Sequence, residues 1–495
     1  MPTAAFTTLG CKVNQYETQR ILDDFEERGF AITEFNQPAD IYVINTCSVT
    51  QAAERKSRAM IRKVARQNPE AIVVMTGCYA EMSQIKGESV EEVTLHVPNH
   101  RKMETLPILM ATYPELESRL LESIVAPPLQ TPHRTRATIK VQDGCNVFCT
   151  FCSIPFTRKY MKSRPIGELV AEVTRKAEQG YREIVITGVL VGAYGQDDFT
   201  PILGMDMPRF TRETPVPVFD LAACLLRLAQ VPGIERVRLS SIEPTQITDR
   251  LLDAFASEPK LCRHLHIPLQ SGDTGILAAM NRPYDQEFYL ERCAAAKAKI
   301  PDLALTADIM VGFPGEDEAA FENTLRVVRE VGYARAHLFR YSARPNTPAA
   351  DFPDQITDSV KEERVKRLTE ACRKTQQAFI ERYIGQELEV LVEGKESQAI
   401  DGEMGASGND EHERVENGGH EGVGRSLLLG GYTSNYIRVQ FTGGSHLKGT
   451  ITKVRLLEPS ASGAVGEVGG AHFGPQEAPP DADFIPLASF EAALR

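Results

Sequence analysis

Cys145, Cys149 and Cys152 are separated by three and then two residues within Val141-Gln-Asp-Gly-Cys-Asn-Val-Phe-Cys-Thr-Phe-Cys-Ser153. Thiolates at that spacing, in a short polar loop containing a glycine, fit a single iron–sulfur cube wrapped by the chain. Such clusters are held by cysteine thiolates, usually four of them. Only three are local here, so one iron keeps an open position, and an open iron can do chemistry as well as carry electrons. A structural zinc site needs four closed ligands, and no fourth Cys or His lies close by in the sequence. Three merely structural cysteines would not call for a polar loop.

Three of the remaining cysteines share a different context. Cys11 follows Ala4-Ala-Phe-Thr-Thr-Leu9, Cys47 follows Asp40-Ile-Tyr-Val-Ile-Asn-Thr46, and Cys78 follows Ala71-Ile-Val-Val-Met-Thr-Gly77. Helical patterns, Asn14 to Arg28 and Ala53 to Gln67, lie between these short apolar runs. Strand and helix in alternation predict a parallel sheet with crossover helices. Ligands of such sheets gather outside the carboxyl ends of the strands. Cys11, Cys47 and Cys78 all fall on that edge, so a second three-cysteine site is expected. Cys224, Cys262, Cys293 and Cys372 sit inside helix or strand patterns and are expected to fill the core.

The elements that must carry the first loop come next. Strand patterns recur at Ala137–Gln142, Glu183–Thr187, Arg236–Ser241, His264–Leu269, Leu303–Val311 and Ala336–Tyr341. A helix opened by Pro165 and closed by Gly180 alternates with them, as do helical patterns at Phe219–Gln230, Asp285–Lys299 and Glu318–Glu330. Six β/α units predict a partial barrel, whose active site belongs on the loops at strand carboxyl ends. That rim carries Thr187, Gly188, Ser241, Glu243, Gln270, Asp308, Gly312 and Gly315. Glycines there let backbone approach a ligand, and the carboxylates and hydroxyls suit a ribose or an amino-acid moiety.

From Phe6 to Glu458 the chain resembles the radical S-adenosylmethionine (SAM) methylthiotransferases. The Cys145/Cys149/Cys152 spacing, the Asp308–Glu316 stretch and the three strand-end cysteines carry the likeness. Thr8-Leu-Gly-Cys-Lys-Val-Asn-Gln-Tyr-Glu-Thr18 is most similar to the branch acting on threonylcarbamoyladenosine at tRNA position 37. The resemblance implies two [4Fe-4S] clusters, one on Cys145, Cys149 and Cys152 that chelates SAM and an auxiliary one on Cys11, Cys47 and Cys78. It implies SAM contacts at Thr187, Gly188, Ser241, Glu243, Gln270, Asp308, Gly312 and Gly315. Reductive cleavage of SAM to a deoxyadenosyl radical, hydrogen abstraction from the substrate and transfer of a methylated sulfur follow from it. So do a tRNA partner, an electron donor such as a flavodoxin or ferredoxin, and a sulfur source. The alternatives are isopentenyladenosine in tRNA or an aspartate of a ribosomal protein. Carbon 2 of adenine has an unactivated C–H bond, so a cofactor must supply the reactivity; no general base is expected.

The predicted organisation is α/β. An N-terminal parallel-sheet domain (1–112) and a linker (113–133) precede the partial (β/α)6 barrel (134–378), and a small antiparallel β-barrel (379–458) follows. The β-barrel resembles the family's RNA-binding module, though its aromatics are limited to Tyr432, Tyr436 and Phe441. A disordered insertion (394–428) and a disordered tail (459–495), with a docking segment around Phe484, Ile485, Leu487 and Phe490, are also expected. Net charge is −12, but 394–422 carries −6 and 458–495 carries −5, leaving about −1 for the body. Basic patches therefore remain able to bind RNA. Arg158, Lys159, Lys162 and Arg164, just past the cluster loop, are the candidates for RNA contact. The run Arg55, Lys56, Arg58, Arg62, Lys63 and Arg66 reads as a solvated helix face. With no secretory or membrane-spanning pattern, a reducing cytoplasmic setting is expected.

Overall fold

Ile41–Thr46 is buried along its whole length, as a strand covered by helices on both faces must be. In the computed structural model, residues 1–48, 51–121, 135–197, 219–344, 346–397 and 427–469 are described. There this strand is the centre of a five-stranded parallel sheet, in the order Ala31–Thr33, Thr3–Thr8, Ile41–Thr46, Ile72–Gly77, Leu95–His96. Ile41 and Val43 pack with Ile21 and Phe25 of helix Lys12–Arg28. The alternate residues Tyr42 and Ile44 pack with Ile61 and Val64 of helix Gln51–Gln67 on the other face. The sheet is thus wound on both sides, and its strand ends converge on one edge.

The second domain sets six parallel strands side by side: Arg136–Asp143, Glu183–Gly188, Arg236–Leu239, His264–His266, Ala304–Val311 and Arg335–Arg340. Bridges Val237–Leu261 and Ser241–His266 join the third strand to the fourth. Lys162–Ser163 adds a short antiparallel edge beside the first. Helices start where a side chain accepts from the backbone N–H three residues on: Asp220 from Ala223, Thr248 from Leu251, Asp285 from Phe288 and Asp317 from Ala320. Ile139, Ile184, Val237, Leu265 and Leu305 join the helices in the largest core. The alternate positions on the same strands are polar, among them Lys140, Glu183, Arg238, His266, Asp308 and His337. A closed eight-stranded barrel fills its interior with apolar side chains; the inner face of this half-barrel carries polar and charged ones instead. A 24-residue helix, Asp358–Glu381, runs from the barrel, and its Phe379 and Ile380 enter the core of the next unit.

That unit is a closed barrel of five strands, in the order Glu387–Ser397, Leu427–Thr433, Arg438–Gly443, Gly463–Val468, Ile451–Ser460. The tail expected from 459 therefore starts inside folded structure: Gly463–Val468 pairs with both Ile451–Ser460 and Arg438–Gly443. Its small residues, with Ala464 fully buried, bring it close to its neighbours; a Gly- and Ala-rich composition here is tight packing. Residues 394–397 and 427–428, expected in the insertion, belong to the paired strands. The expected linker begins with helix Glu115–Leu121. The rest of the linker, the insertion between 398 and 426, and the tail from 470 with Phe484, Ile485, Leu487 and Phe490 lie outside the described residues. Among the described residues, no helix is long and apolar enough to cross a membrane.

Candidate cluster and substrate site

Three Gly-Cys pairs mark the site: Gly10-Cys11, Gly77-Cys78 and Gly144-Cys145. Each glycine turns the chain out of a strand end with positive φ. At Gly77 (φ +99°) a side chain would stand 2.4 Å from the Thr46 carbonyl, and at Gly144 (φ +81°) 2.1 Å from the Tyr160 carbonyl. Only glycine permits approaches this close. The turn at Gly77 presses the Cys78 loop onto the Cys47 loop. A side chain at Gly10 would stand 2.7 Å from the Cys47 sulfur, so the Cys11 loop arrives at the same place. The strand-end argument thus brings the three loops together.

The other triad lies in one turn of chain. Asn281 donates to the carbonyls of Val147 (3.2 Å) and Phe148 (2.7 Å), and Gln142 donates to that of Gly144 (2.9 Å). Arg282 donates to the Cys149 sulfur at 3.0 Å and pairs with Glu243. Burial pushes the Cys149 thiol up to about 11 against the pull of Arg282, and burial raises Cys145 and Cys152 as well. Ligand thiols must be deprotonated. One buried and two half-buried thiols set this close are a donor set stabilised by an incoming positive centre, which a cluster provides. Among the described residues, no three His, Cys, Asp or Glu side chains close around a single ion. A cube offering a separate iron to each thiolate asks for a wider stance than one ion does.

The two triads are held in one neighbourhood. Arg344 lies within electrostatic reach of both Cys152 and Cys47, and Cys152 of Cys78. Between their domains sits a buried ion network centred on Glu17. It accepts from Lys102 (2.7 Å), Lys140 (2.6 Å) and Arg158 (2.8 Å), while Arg158 and Lys140 also bind Asp143 at 2.9 and 2.7 Å. Burial pushes the Glu17 carboxyl up, but Arg158, Lys102 and Lys140 together hold it well below the usual carboxylate range. Asn14 completes the link. It donates to the carbonyls of Leu9 and Thr46, beside two of the cysteines, and accepts from Arg158.

That network corrects one expectation. Arg158 is 5% exposed and fully engaged, so it joins domains and offers nothing to an RNA phosphate. Arg164 is half-buried, bonded to Glu172 (2.7 Å) and Tyr16 (2.8 Å). Lys162 is exposed, and Lys159 is half-exposed, 4.0 Å from Glu81. Beside them Phe156 and Tyr160 are exposed. On helix Gln51–Gln67, Arg55, Lys63 and Arg66 are exposed. Phe441 is buried in the small barrel, and Tyr432 and Tyr436 are half-buried. Tyr436 stacks on Tyr432 (4.9 Å) and on His264 (4.2 Å), with Arg136 over Tyr432 and Arg238 over Tyr436. Arg238 also donates to the carbonyls of Thr433 and Ser434 at 3.0 Å. The two tyrosines therefore dock the small barrel at the amino ends of the half-barrel strands.

The rim residues divide into two groups. Glu243 reaches the cluster loop through Arg282. Ser241 is exposed at its strand end, and Asp308 bonds His266 at 3.3 Å on the inner face of the half-barrel. Burial pushes the Asp308 carboxyl up, yet His266 holds it below the usual range. The others shape backbone. Thr187 is buried against Ser240 (3.3 Å), and Gly188 packs on Gln142. Gln270 exchanges backbone bonds with Asp308 and Met310. Gly312 donates to Glu316 (2.9 Å), which Arg364 anchors, and Gly315 donates to the Asp354 carbonyl. Arg282, Asn281, Arg344, Asn14 and Glu17 were given no role by the sequence reading. Asn14 and Glu17 at least carry a signal, since polar residues on the inward stripe of a core helix need buried partners.

The family profile described as Uncharacterized protein family UPF0004 matches residues 3–97, and that of the Radical SAM superfamily matches 139–328. The threonylcarbamoyladenosine tRNA methylthiotransferase MtaB of Bacillus subtilis (strain 168) is 36% identical over 92% of this chain and 94% of its own. The chain belongs to the radical SAM methylthiotransferase family. A tRNA-2-methylthio-N(6)-dimethylallyladenosine synthase of Alkaliphilus oremlandii (strain OhILAs) is 32% identical over 93% of this chain and 92% of its own. Among solved structures, the radical SAM methyltransferase TsrM of Kitasatospora setae shares the fold. It has a TM-score of 0.50 at 13% identity and covers 71% of this chain and 75% of its own. Membership in this family makes the chain a radical SAM enzyme, with a [4Fe-4S] cluster and SAM as its working parts.

Proposed function

We propose that the protein adds a methylthio group to carbon 2 of N6-threonylcarbamoyladenosine at position 37 of tRNA. One arrangement carries the reading: two cysteine triads from separate domains lie in one neighbourhood, with their domains tied to each other by Glu17 and Arg158. Relatives named for threonylcarbamoyladenosine match at 36% and 37%, and those named for the dimethylallyl nucleoside at 32% and 34%. Cys145, Cys149 and Cys152 would hold the first cluster, and Cys11, Cys47 and Cys78 a second [4Fe-4S] cluster. Glu243 and Arg282, beside Cys149, would receive the amino-acid end of SAM, with Ser241 and Asp308 further along the rim.

Bound there, the clusters and SAM supply a carbon-centred radical and the sulfur to be transferred. The chain itself orients. Arg282 and Asn281 fix the loop, and Glu17 with its three cations fixes the distance between domains. The exposed Lys162, Phe156 and Tyr160, with the half-exposed Lys159, would meet the RNA at the mouth. An electron donor of the flavodoxin or ferredoxin kind and a sulfur source complete the system in the cytoplasm. The test is nucleoside mass spectrometry of total tRNA with and without the gene. Loss of methylthio-threonylcarbamoyladenosine, with its precursor accumulating, is expected. Loss of the isopentenyl analogue instead moves the substrate, and an unchanged tRNA profile points to the ribosomal protein.

A further inference from the structure

Two aromatic rings stand in solvent where the triad-bearing domains meet. Phe156 is 40% exposed and Tyr160 53%. Phe156 lies on the short helix Ile154–Thr157, which starts just after Cys152. That helix packs on helix Cys78–Ile85, whose first residue is a cysteine of the other triad. The backbone here is pinned to both domains. The Thr157 carbonyl accepts from Asn99 at 2.7 Å, and Arg158 is held in the Glu17 network. The Tyr160 carbonyl abuts the turn at Gly144, beside Cys145. Phe148 of the cluster loop backs Phe156, ring to ring at 6.3 Å and close to edge-on. Phe148 has φ +54°, a left-handed backbone that a bulky residue rarely adopts, and Asn281 bonds its carbonyl at 2.7 Å. Lys159 lies over the Tyr160 ring at 5.4 Å, and His100 flanks that ring at 6.3 Å. A lone exposed ring is ordinary surface. Two rings on a pinned backbone, with cations among them, match the stacking and charge that take unpaired RNA bases.

The chemistry says which base would meet the ring. Cys47, Cys78 and Cys149 are buried. A nucleotide of a stacked loop reaches reagents held on such residues only by turning out of its stack. Turning out leaves a gap beside the neighbouring base, and the lost stacking must be offset. We propose that Phe156 enters that gap and stacks on the base next to position 37, holding the target nucleotide turned out. Tyr160, with Lys159 and Lys162, then lies along the flanking phosphates. A side chain wedged between bases replaces base–base stacking by ring–base stacking. This deepens the function proposed above and rests on it.

Binding of synthetic anticodon stem-loops to the holoenzyme tests this as a cycle. Each bears N6-threonylcarbamoyladenosine at position 37. One has all its bases; the others are abasic on the 5′ or on the 3′ side of the target. With all bases present, Phe156→Ala should weaken binding by about 5- to 150-fold, the worth of one base–aromatic stack. Against the stem-loop that is abasic at the stacked neighbour, wild type and variant should bind alike. The other abasic stem-loop should show the full difference. Phe156→Trp should behave as the wild type. Phe156→Leu, which still packs on Phe148, should behave as the alanine variant. Iron content and SAM affinity are measured on each protein, and the leucine variant carries the test if alanine disturbs the cluster loop. Equal weakening toward all three stem-loops makes Phe156 a support of that loop and overturns the proposal. A leucine variant that binds like the wild type also overturns it. In both cases conversion of the threonylcarbamoyl stem-loop by the wild type leaves the function standing. If the wild type fails to convert it, the functional reading falls and the wedge with it.

Discussion

The two cysteine triads solve the same problem in opposite ways. Cys145, Cys149 and Cys152 come from a single loop, which Asn281, Gln142 and Arg282 hold in place by bonding its backbone and one sulfur. Cys11, Cys47 and Cys78 come from three strand ends and meet only because the parallel sheet aligns them. The first triad depends on local chain geometry; the second depends on the fold of a whole domain. A local loop can be lost without disturbing the N-terminal sheet, whereas an assembled site is sensitive to any slip between neighbouring strands. Positioning one triad against the other is then a separate task, and the Glu17 network performs it.

Substituting one cysteine from each triad gives the widest separation. Cys149→Ala is expected to abolish SAM cleavage, read as loss of 5′-deoxyadenosine, with the loss of one cluster's iron. Cys47→Ala should lose the same amount of iron and all methylthio product while still cleaving SAM. If both variants behave alike in SAM cleavage, the division of labour between the triads is wrong.

The link between the domains comes next. Glu17→Gln leaves Lys102, Lys140 and Arg158 buried around a neutral amide. Breaking a buried charge network from one side costs about 3–5 kcal/mol, measurable by denaturant unfolding. Because the folded carboxyl is held low by those cations, its contribution is complete above the unfolded pKa of about 4.3. It fades as pH falls through and below that value. The stability gap between wild type and variant should therefore be full at neutral pH and narrow in acid. A gap that stays constant down to pH 3 would mean the loss is one of packing.

A smaller effect separates the two turns. Gly77→Ala and Gly144→Ala each force a side chain onto a carbonyl in a left-handed backbone, a strain of about 1–3 kcal/mol. The two should differ in which iron is lost. Gly77→Ala disturbs the contact between the Cys47 and Cys78 loops, whereas Gly144→Ala disturbs the loop of Cys145. Spectroscopy of variants reconstituted with iron and sulfide distinguishes them, and equal loss from both sites in either variant argues against independent triads.

What could be read from the sequence follows from the range of the interactions. The local triad was legible because its spacing is itself the geometry. The assembled triad was legible because strand ends of a parallel sheet must lie on one edge. The half-barrel came from alternation over six segments, although the polar residues at every second position of its strands, as in His264 and His266, were given no role. Arg158 was misplaced because four basic residues within seven positions look solvated. Its partners Glu17 and Asp143 lie on other elements, and Glu17 is more than a hundred positions away. Gly463–Val468 was missed because small residues give a weak strand signal, although close packing is the reason they are there. Tyr432 and Tyr436 were legible as aromatics but not as a docking stack, because His264 and Arg238 lie in another domain.

The two basic runs form a last and finer comparison, because they differ in how many of their cations are exposed. Of the run beyond the cluster loop, Arg158 and Arg164 are committed to carboxylates and only Lys162 stands fully exposed. On helix Gln51–Gln67, which follows the Cys47 loop, Arg55, Lys63 and Arg66 are exposed. Lys162→Ala and Lys63→Ala should each weaken tRNA binding modestly and equally for all sequences. Each should flatten the dependence of log affinity on log salt by about 0.7–0.9 for every phosphate contact removed. Arg158 is left out of this test because its replacement would unseat Glu17 and confound binding with folding. If Lys162→Ala alone flattens the slope, RNA enters over the SAM-cluster loop. A flattening confined to Lys63→Ala brings it in over the N-terminal domain, on the side of the assembled triad.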